Sequence, residues 1–352
     1  MSRPTRYREI EVAGAPREMG RQVGEAAREE MRGFAAIALD RVNKSVRVSR
    51  EKAVGVARDT FAYVEGYAPH MLEELRGMAE GSGLPVEELM LLQVRNQLLA
   101  EMDSGCTSFA VAPPTGQRAV VGQNWDNDPA LNPYTIVLTR RPEGKPALMN
   151  ITQAGLIAYM GLNSAGIGLC MNTLPAPSRP LGVPHYFTVR GIYETACQDE
   201  AVQAVRRATR ALPSNIMLSA PQGPANLEVT VDDVHVLRDG GRGLLTHTNH
   251  CEHPDLLPIN DRFPELIQSH PRKIRIEQLL GEAERPLALE SLKKALRDHE
   301  NYPRSICRHP NDHPTTGYWA TAISVLIEPE AGLMHVSRGN PCENPYETYR
   351  LN

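Results

Sequence analysis

The chain reads as an α+β protein in which antiparallel sheets carry helices on their outer faces. Three observations predict this. Helical periodicity dominates from about Pro16 to Met102, and at Cys106 the period changes abruptly to that of strands. The later helices and strands then come in blocks that do not alternate one for one, as a parallel βαβ fold would require. With 352 residues and 41% hydrophobic content, the chain can bury its core as one unit. No repeat, low-complexity tract or long linker divides it.

Met19, Val23 and Ala27 are spaced for one helix face, and "SREKAVGVARDTFAYVEGY", "PHMLEELRGMAEGSG" and "PVEELMLLQVRNQLLAEM" continue the helical pattern. Pro69 and Pro85 sit where helices begin, and Gly81 and Gly83 where one stops. After Cys106 the segments "TSFAVAP", "RAVVGQNW", "YTIVLTRR", "PALMNIT" and "AGIGLCMN" read as strands, being short, rich in branched residues and separated by Pro, Gly and Asn. Helices are expected near His185–Ala196 and Glu200–Ala211, then strands at "NIMLSA", "ANLEVTV", "DVHVLRD" and "RGLLTHT". Two more helices, from about Leu266 to Leu280 and Ala288 to His299, precede a closing hairpin of "TAISVLIEP" and "GLMHVSR".

The formal net charge of −4 leaves no excess of cations to displace the counterions of a phosphate backbone, so nucleic acid is not an expected partner. Charges interrupt the first residues where a signal peptide needs an apolar run, and no window approaches the roughly 20 apolar residues of a membrane span. A cytoplasmic protein without a membrane partner is expected. The six cysteines, at 106, 170, 197, 251, 307 and 342, form no CxxC pair and are expected as reduced thiols.

Cys106 follows Gly105 at the change of period. A thiol attacks a carbonyl only as thiolate and needs a base, yet no histidine lies near Cys106 in sequence. Cutting the Gly105–Cys106 bond would supply one, since a free α-amine has a pKa of about 7.7–8.0. Glycine leaves the carbonyl before the cut open to attack. A buried structural cysteine is the plain alternative. The stretch "HTNHCEHPD" crowds His247, His250, Cys251 and His253 together, but ligands from a single cluster at the end of a strand do not easily wrap a tetrahedral ion, so no metal is expected there.

The wider set of motifs bears on this choice. "GAPREMGRQVG" at 14–24, "GCTSF" at 105–109, "GQNWD" at 122–126, "GLNSAG" at 161–166, "HTNH" at 247–250 and "NYPRSICR" at 301–308 resemble, in order, the acyl-coenzyme A:6-aminopenicillanic acid acyltransferase family. These are peptidase family C45 N-terminal nucleophile hydrolases. The resemblance implies a four-layer αββα fold and autocatalytic cleavage between Gly105 and Cys106. The products, residues 1–105 and 106–352 (352 − 105 = 247 residues), would stay together as a heterodimer and one structural domain.

It further implies that Asp126 orients or charge-balances the new α-amine. Asn249 would donate its amide to the oxyanion, and Arg308 would hold Asp126 or a substrate carboxylate through its fork of donors. Ser305 is a weaker candidate for processing. The implied reaction is acyl transfer from a small N-acyl amide or acyl thioester through a thioester on Cys106, to water or an amine, with no cofactor and no metal. An uncleaved hydrolase pairing Cys106 with a distant histidine, or a binding homologue that has lost activity, are the competing readings.

Overall fold

A computed structural model describes residues 5–98, 105–262, 268–314 and 316–352. The expected end of the first helical block near Met102, and the expected helix start near Leu266, lie outside those residues.

The chain opens with strand β1 (Arg8–Gly14) and five helices: α1 (Pro16–Ala26), α2 (Arg28–Val42), α3 (Arg50–Tyr67), α4 (Pro69–Ser82) and α5 (Val86–Leu98). Strands β2 (Cys106–Val111), β3 (Val120–Asn127), β4 (Thr135–Pro142), β5 (Leu148–Gln153), β6 (Met160–Asn163) and β7 (Gly168–Asn172) follow. Helices α6 (His185–Tyr193) and α7 (Gln198–Arg206) lead to β8 (Ser214–Ala220), β9 (Gly223–Val229), β10 (Val234–Arg238) and β11 (Leu244–His247). Then come α8 (Leu257–Asn260), α9 (Ser269–Glu282), α10 (Leu289–Leu296), β12 (Ala320–Glu328), β13 (Leu333–Arg338) and β14 (Tyr346–Arg350).

The strands form two sheets, one ordered β1-β4-β5-β6-β7-β8-β9-β10 and the other β11-β2-β3-β12-β13-β14. Neighbours are antiparallel, except that β1 lies parallel to β4. The sheets pack face to face, with β2 and β3 against β7 and β8. Helices α1, α2, α4 and α5 share the main core with the first sheet, while α9 and α10 cover the outer face of the second through Ile276, Leu280, Leu292 and Leu296. This is the four-layer αββα order.

The N-terminal third is therefore not purely helical. In "REIEVAG" the glutamates face out while Ile10 and Val12 are buried, the half-polar pattern of an edge strand, which is too short and charged to stand out against the helices after it. Two other strands were not expected: β6 ("MGLN"), buried and four residues long, and β14 ("YETYR"), an edge in which Tyr349 alone is buried. Helices α6 and α7 are shorter than expected. Elsewhere the expected signals hold: Met19, Val23 and Ala27 are fully buried, Pro69 opens α4, and Gly83 ends it with φ +70.

Helices α1 and α4 meet at backbone contact. A Cβ on Gly20 would lie 1.9 Å from the Glu74 carbonyl oxygen, and one on Gly77 2.0 Å from that of Arg17. Gly24 and Gly81 repeat the approach one turn on. Two Gly-x-x-x-Gly faces thus make the crossing, which gives the opening motif a packing reason. The crossing sets Glu74 inward, where its carboxylate accepts from Arg140 Nε (2.6 Å) on β4 and Arg190 Nη1 (2.9 Å) on α6, all three side chains being buried.

Candidate active site

Strand β3 shows why "GQNWD" reads as it does. Gly122 leaves room for Phe109 and Leu326, and Gln123 turns toward the first sheet, donating to Met171 O and Asn172 Oδ1. On the opposite face, Asn124 donates to the carbonyls of Leu296 (2.7 Å) and Ile306 (2.9 Å), and Asp126 Oδ1 accepts from Thr321 Oγ1 (2.8 Å). A register shift in β12 between Thr321 and Ile323 accompanies that last contact, as β-bulges re-aim side chains.

Cys106 is the first residue of β2 and pairs with Trp125. The Gly105–Cys106 peptide is held from both sides. The Cys106 N–H donates to Asn249 Oδ1 (2.9 Å), and the Gly105 carbonyl accepts from the Asp126 N–H (2.8 Å). A Cβ on Gly105 would fall 2.4 Å from Asp126 Oδ2, so any other residue there would displace the carboxylate. Burial pushes the Cys106 thiol up to about 12, with the Asp126 charge adding to the shift; Arg272 and the backbone N–H groups of Asp126 and Thr173 oppose it. Asp126 itself is raised from 3.8 to about 6 by burial, against the pull of Arg308, Arg272 and the Thr321 hydroxyl. Among the described residues no histidine is hydrogen-bonded to Cys106.

Asn249 reaches the site because the "HTNH" segment is pinned on three sides. His247 sits between Glu228 Oε1 (2.9 Å) and Thr248 O, the Asn249 N–H donates to Ser269 Oγ (2.7 Å), and Glu228 also accepts from the N–H groups of Glu252 and His253. These bonds engage His247 as a structural residue. The Asn249 side chain presents its oxygen to Cys106 N and to Arg272 Nη2 (2.8 Å), while its Nδ2 donates to Thr173 O (3.0 Å).

Sequence reasoning missed Arg272. It projects from α9, its Nη1 donates to Cys106 O and to Thr107 Oγ1 (2.9 Å), and it is 2% exposed. The signal was present: Arg272, Ile276 and Leu280 share one helix face at i, i+4, i+8, and both partners are core residues. Thr321 was also missed, since a threonine in an apolar strand is usually read as a strand former.

Arg308 is buried and lies close enough to Asp126 for its charge to lower that carboxyl, and its N–H donates to Thr321 Oγ1 (2.9 Å). It does not line the cavity described next. Ser305 is bonded within its own loop, donating to Cys307 O (2.6 Å).

Near Cys106, which does not itself line it, opens a cavity of ≈ 140 Å³, walled by Trp125, Met171 and Asn172 from β3 and β7, by Tyr159 and Thr173 at the ends of strands, and by Phe34, Ala38, Val42 and Arg95 from α2 and α5. Trp125 and Thr173 are direct neighbours of Cys106. Arg95 is 6% exposed and stacks over Phe34 and Tyr186, and its Nη1 has no hydrogen-bond partner among the described residues. Burial, reinforced by Arg95, lowers the neighbouring His185 to about 3. Arg41, on the same wall, is paired with Asp128.

The profile of the acyl-coenzyme A:6-aminopenicillanic acid acyl-transferase family matches residues 113–343. The chain is 29% identical over 348 residues to the 40 kDa form of acyl-coenzyme A:6-aminopenicillanic-acid acyltransferase from Emericella nidulans, covering 97% of this chain and 94% of that one. Among solved structures it is similar to a variant of conjugated bile acid hydrolase from Clostridium perfringens (TM-score 0.46, 13% identity, 70% of this chain and 97% of that one). It is also similar to penicillin V acylase from Agrobacterium tumefaciens (TM-score 0.41, 13% identity, 72% and 79%).

Proposed function

Because the chain belongs to the acyl-coenzyme A:6-aminopenicillanic acid acyl-transferase family, we propose that it cuts itself between Gly105 and Cys106 and then works as a thiol amidohydrolase or acyltransferase on small N-acyl compounds. One observation carries the reading: the peptide bond before Cys106 is gripped by Asn249 on its nitrogen side and by the Asp126 N–H on its carbonyl, beside a buried carboxylate.

In the intact chain the thiol is held protonated, so it needs a local acceptor. Asp126, titrating near 6, is mostly carboxylate at neutral pH and is the candidate. The thiolate attacks the Gly105 carbonyl carbon, whose oxygen already accepts the Asp126 N–H. Collapse breaks the C–N bond and the Cys106 nitrogen takes the proton, which frees the α-amine; water then hydrolyses the Gly105 thioester to the Gly105 carboxylate and the free Cys106 thiol. That amine then serves as base in turnover: it accepts the thiol proton, Cys106 attacks the substrate carbonyl, and the leaving amine takes the proton away. Water or a second amine resolves the acyl thioester. The Asn249 amide carries two hydrogens; Thr173 O takes one, and the other is available to an oxyanion. Arg272 fixes the Cys106 carbonyl and the Asn249 oxygen.

The cavity bears on the acyl group. Its ≈ 140 Å³ is close to the volume that receives a benzene ring in an apolar protein cavity, and Phe34, Ala38, Val42, Trp125 and Met171 make an apolar wall. We assign the acyl pocket to this space and a substrate carboxylate, if present, to Arg95 rather than Arg308. The absence of a histidine bonded to Cys106 among the described residues weighs against an uncleaved cysteine–histidine hydrolase.

The recombinant protein is expected to separate under denaturing conditions into two chains, the larger beginning at Cys106 by N-terminal sequencing, while Cys106→Ala stays whole. A wild-type protein that remains a single chain after prolonged incubation overturns the reading.

A further inference from the structure

We propose that His299, Cys307, His309 and Cys342 form a structural zinc site. Cys307 and His309 flank Arg308, His299 lies eight residues before Cys307 and Cys342 comes from the loop after β13, all outside the "HTNHCEHPD" cluster; each offers one ligand atom and the four atoms all fall within 4.8 Å of one another. With Zn–S near 2.3 Å and Zn–N near 2.0–2.1 Å, a tetrahedral ion needs edges of about 3.8 Å between sulfurs, about 3.6 Å between sulfur and nitrogen and about 3.3 Å between nitrogens. Cys307 Sγ lies 3.5 Å from Cys342 Sγ, the His309 Nε2 lies 3.8 Å and 3.5 Å from these sulfurs, and the two Nε2 atoms are 3.2 Å apart.

The surroundings suit the ion. Asn340 Nδ2 points at Cys307 Sγ (3.4 Å) and the Glu343 carboxylate lies 3.9 Å from His309 Nδ1, the outer contacts that orient zinc ligands. Cys307 is buried, while His299 and Cys342 are exposed, which leaves the ion a way in. Binding releases the two thiol protons and yields a complex of zero net charge, compatible with a half-buried place beside Arg308. The other grouping of metal-binding side chains among the described residues, His235, His253 and Asp255, offers three ligands, and His253 Nδ1 already accepts the Asp255 N–H (3.3 Å).

The site has a consequence for the candidate active site. Arg308 lies between two ligands in the chain, and its carbonyl accepts from Asn340 Nδ2 (2.7 Å) and from the Thr321 N–H (3.0 Å). The zinc is then a positioning element: it holds the loop that sets Arg308 and Thr321 against Asp126.

Zinc content of the full chain, purified under reductant after growth with added zinc and dialysed, tests the proposal. Stoichiometric zinc is expected in the wild type, its loss in His299→Ala and Cys342→Ser, and its retention in His253→Ala. Both ligand substitutions are at exposed positions, and circular dichroism verifies that the variants fold. Cobalt exchanged into the wild type is expected to show the visible bands of tetrahedral thiolate coordination. A zinc-free wild type after refolding with zinc, or zinc unchanged in His299→Ala and Cys342→Ser, overturns the site. So does a Cys307–Cys342 disulfide, two hydrogens lighter by intact mass, in protein prepared without air.

Discussion

Asp126 bears a conflict between stability and chemistry. Its carboxyl is raised from 3.8 to about 6 mainly by burial, so the folded chain binds its proton more tightly than the unfolded chain does. The stability this group contributes is fully present below about pH 4 and is lost as pH rises through about 6. Above that range the ionised carboxylate costs ~2–3 kcal/mol relative to its neutral form. In a Cys106→Ala background, Asp126→Asn is therefore expected to match its parent near pH 4 and to exceed it by up to that amount at pH 7–8, by urea unfolding at several pH values. In the chain that keeps Cys106, the same substitution is expected to leave the protein uncleaved on a denaturing gel. Equal stabilities across the range would mean that Arg308, Arg272 and Thr321 already compensate the charge.

At the scale of elements, the α1–α4 crossing depends on hydrogen in place of a methyl group. Gly77→Ala would put its Cβ 2.0 Å from the Arg17 carbonyl oxygen, a backbone atom that cannot rotate away, so the helices must part. We expect a loss at or above ~3 kcal/mol, the upper end for overpacked sites. Gly55 in α3 is the control: nothing lies within 4 Å of its added Cβ, and Gly55→Ala should gain ~0.5–1 kcal/mol from reduced backbone entropy. Chemical denaturation of both variants in the Cys106→Ala background separates close approach from mere helix propensity.

At the scale of the molecule, the proposed cut would leave two chains sharing one core. Strand β1 extends the sheet built by the C-terminal segment, helices α1, α2, α4 and α5 bury against it, and Glu74 reaches across to Arg140 and Arg190. The fragments should co-migrate in native gel filtration and separate only in denaturant. Glu74→Ala would leave the buried Arg140 guanidinium without its carboxylate and Arg190 with Glu194 (3.3 Å) alone, and breaking such a cluster costs ~3–5 kcal/mol. This variant is expected to release the smaller fragment at lower urea than the wild type does, read by gel filtration across a urea series.

How much was legible follows from which forces are local. The helical block, the strand block and the change between them at Cys106 are written in side-chain periodicity and in Pro and Gly punctuation, which act over a few residues, so they can be read from the chain alone. The candidates Cys106, Asp126, Asn249 and Arg308 came from short motifs, and the fold brings all four into one buried neighbourhood. The edge strands β1 and β14 were hidden because little of each is buried, Ile10 and Val12 in the first and Tyr349 in the second. Tertiary structure alone decided the rest. Arg272 reaches Cys106 across 166 positions, and the four ligands of the proposed zinc site span His299 to Cys342. Arg95, not Arg308, lines the cavity. Each of these depends on which strand lies beside which and on how α5, α9 and the loop before β12 close over the sheets; sequence spacing carries no record of such long-range distances.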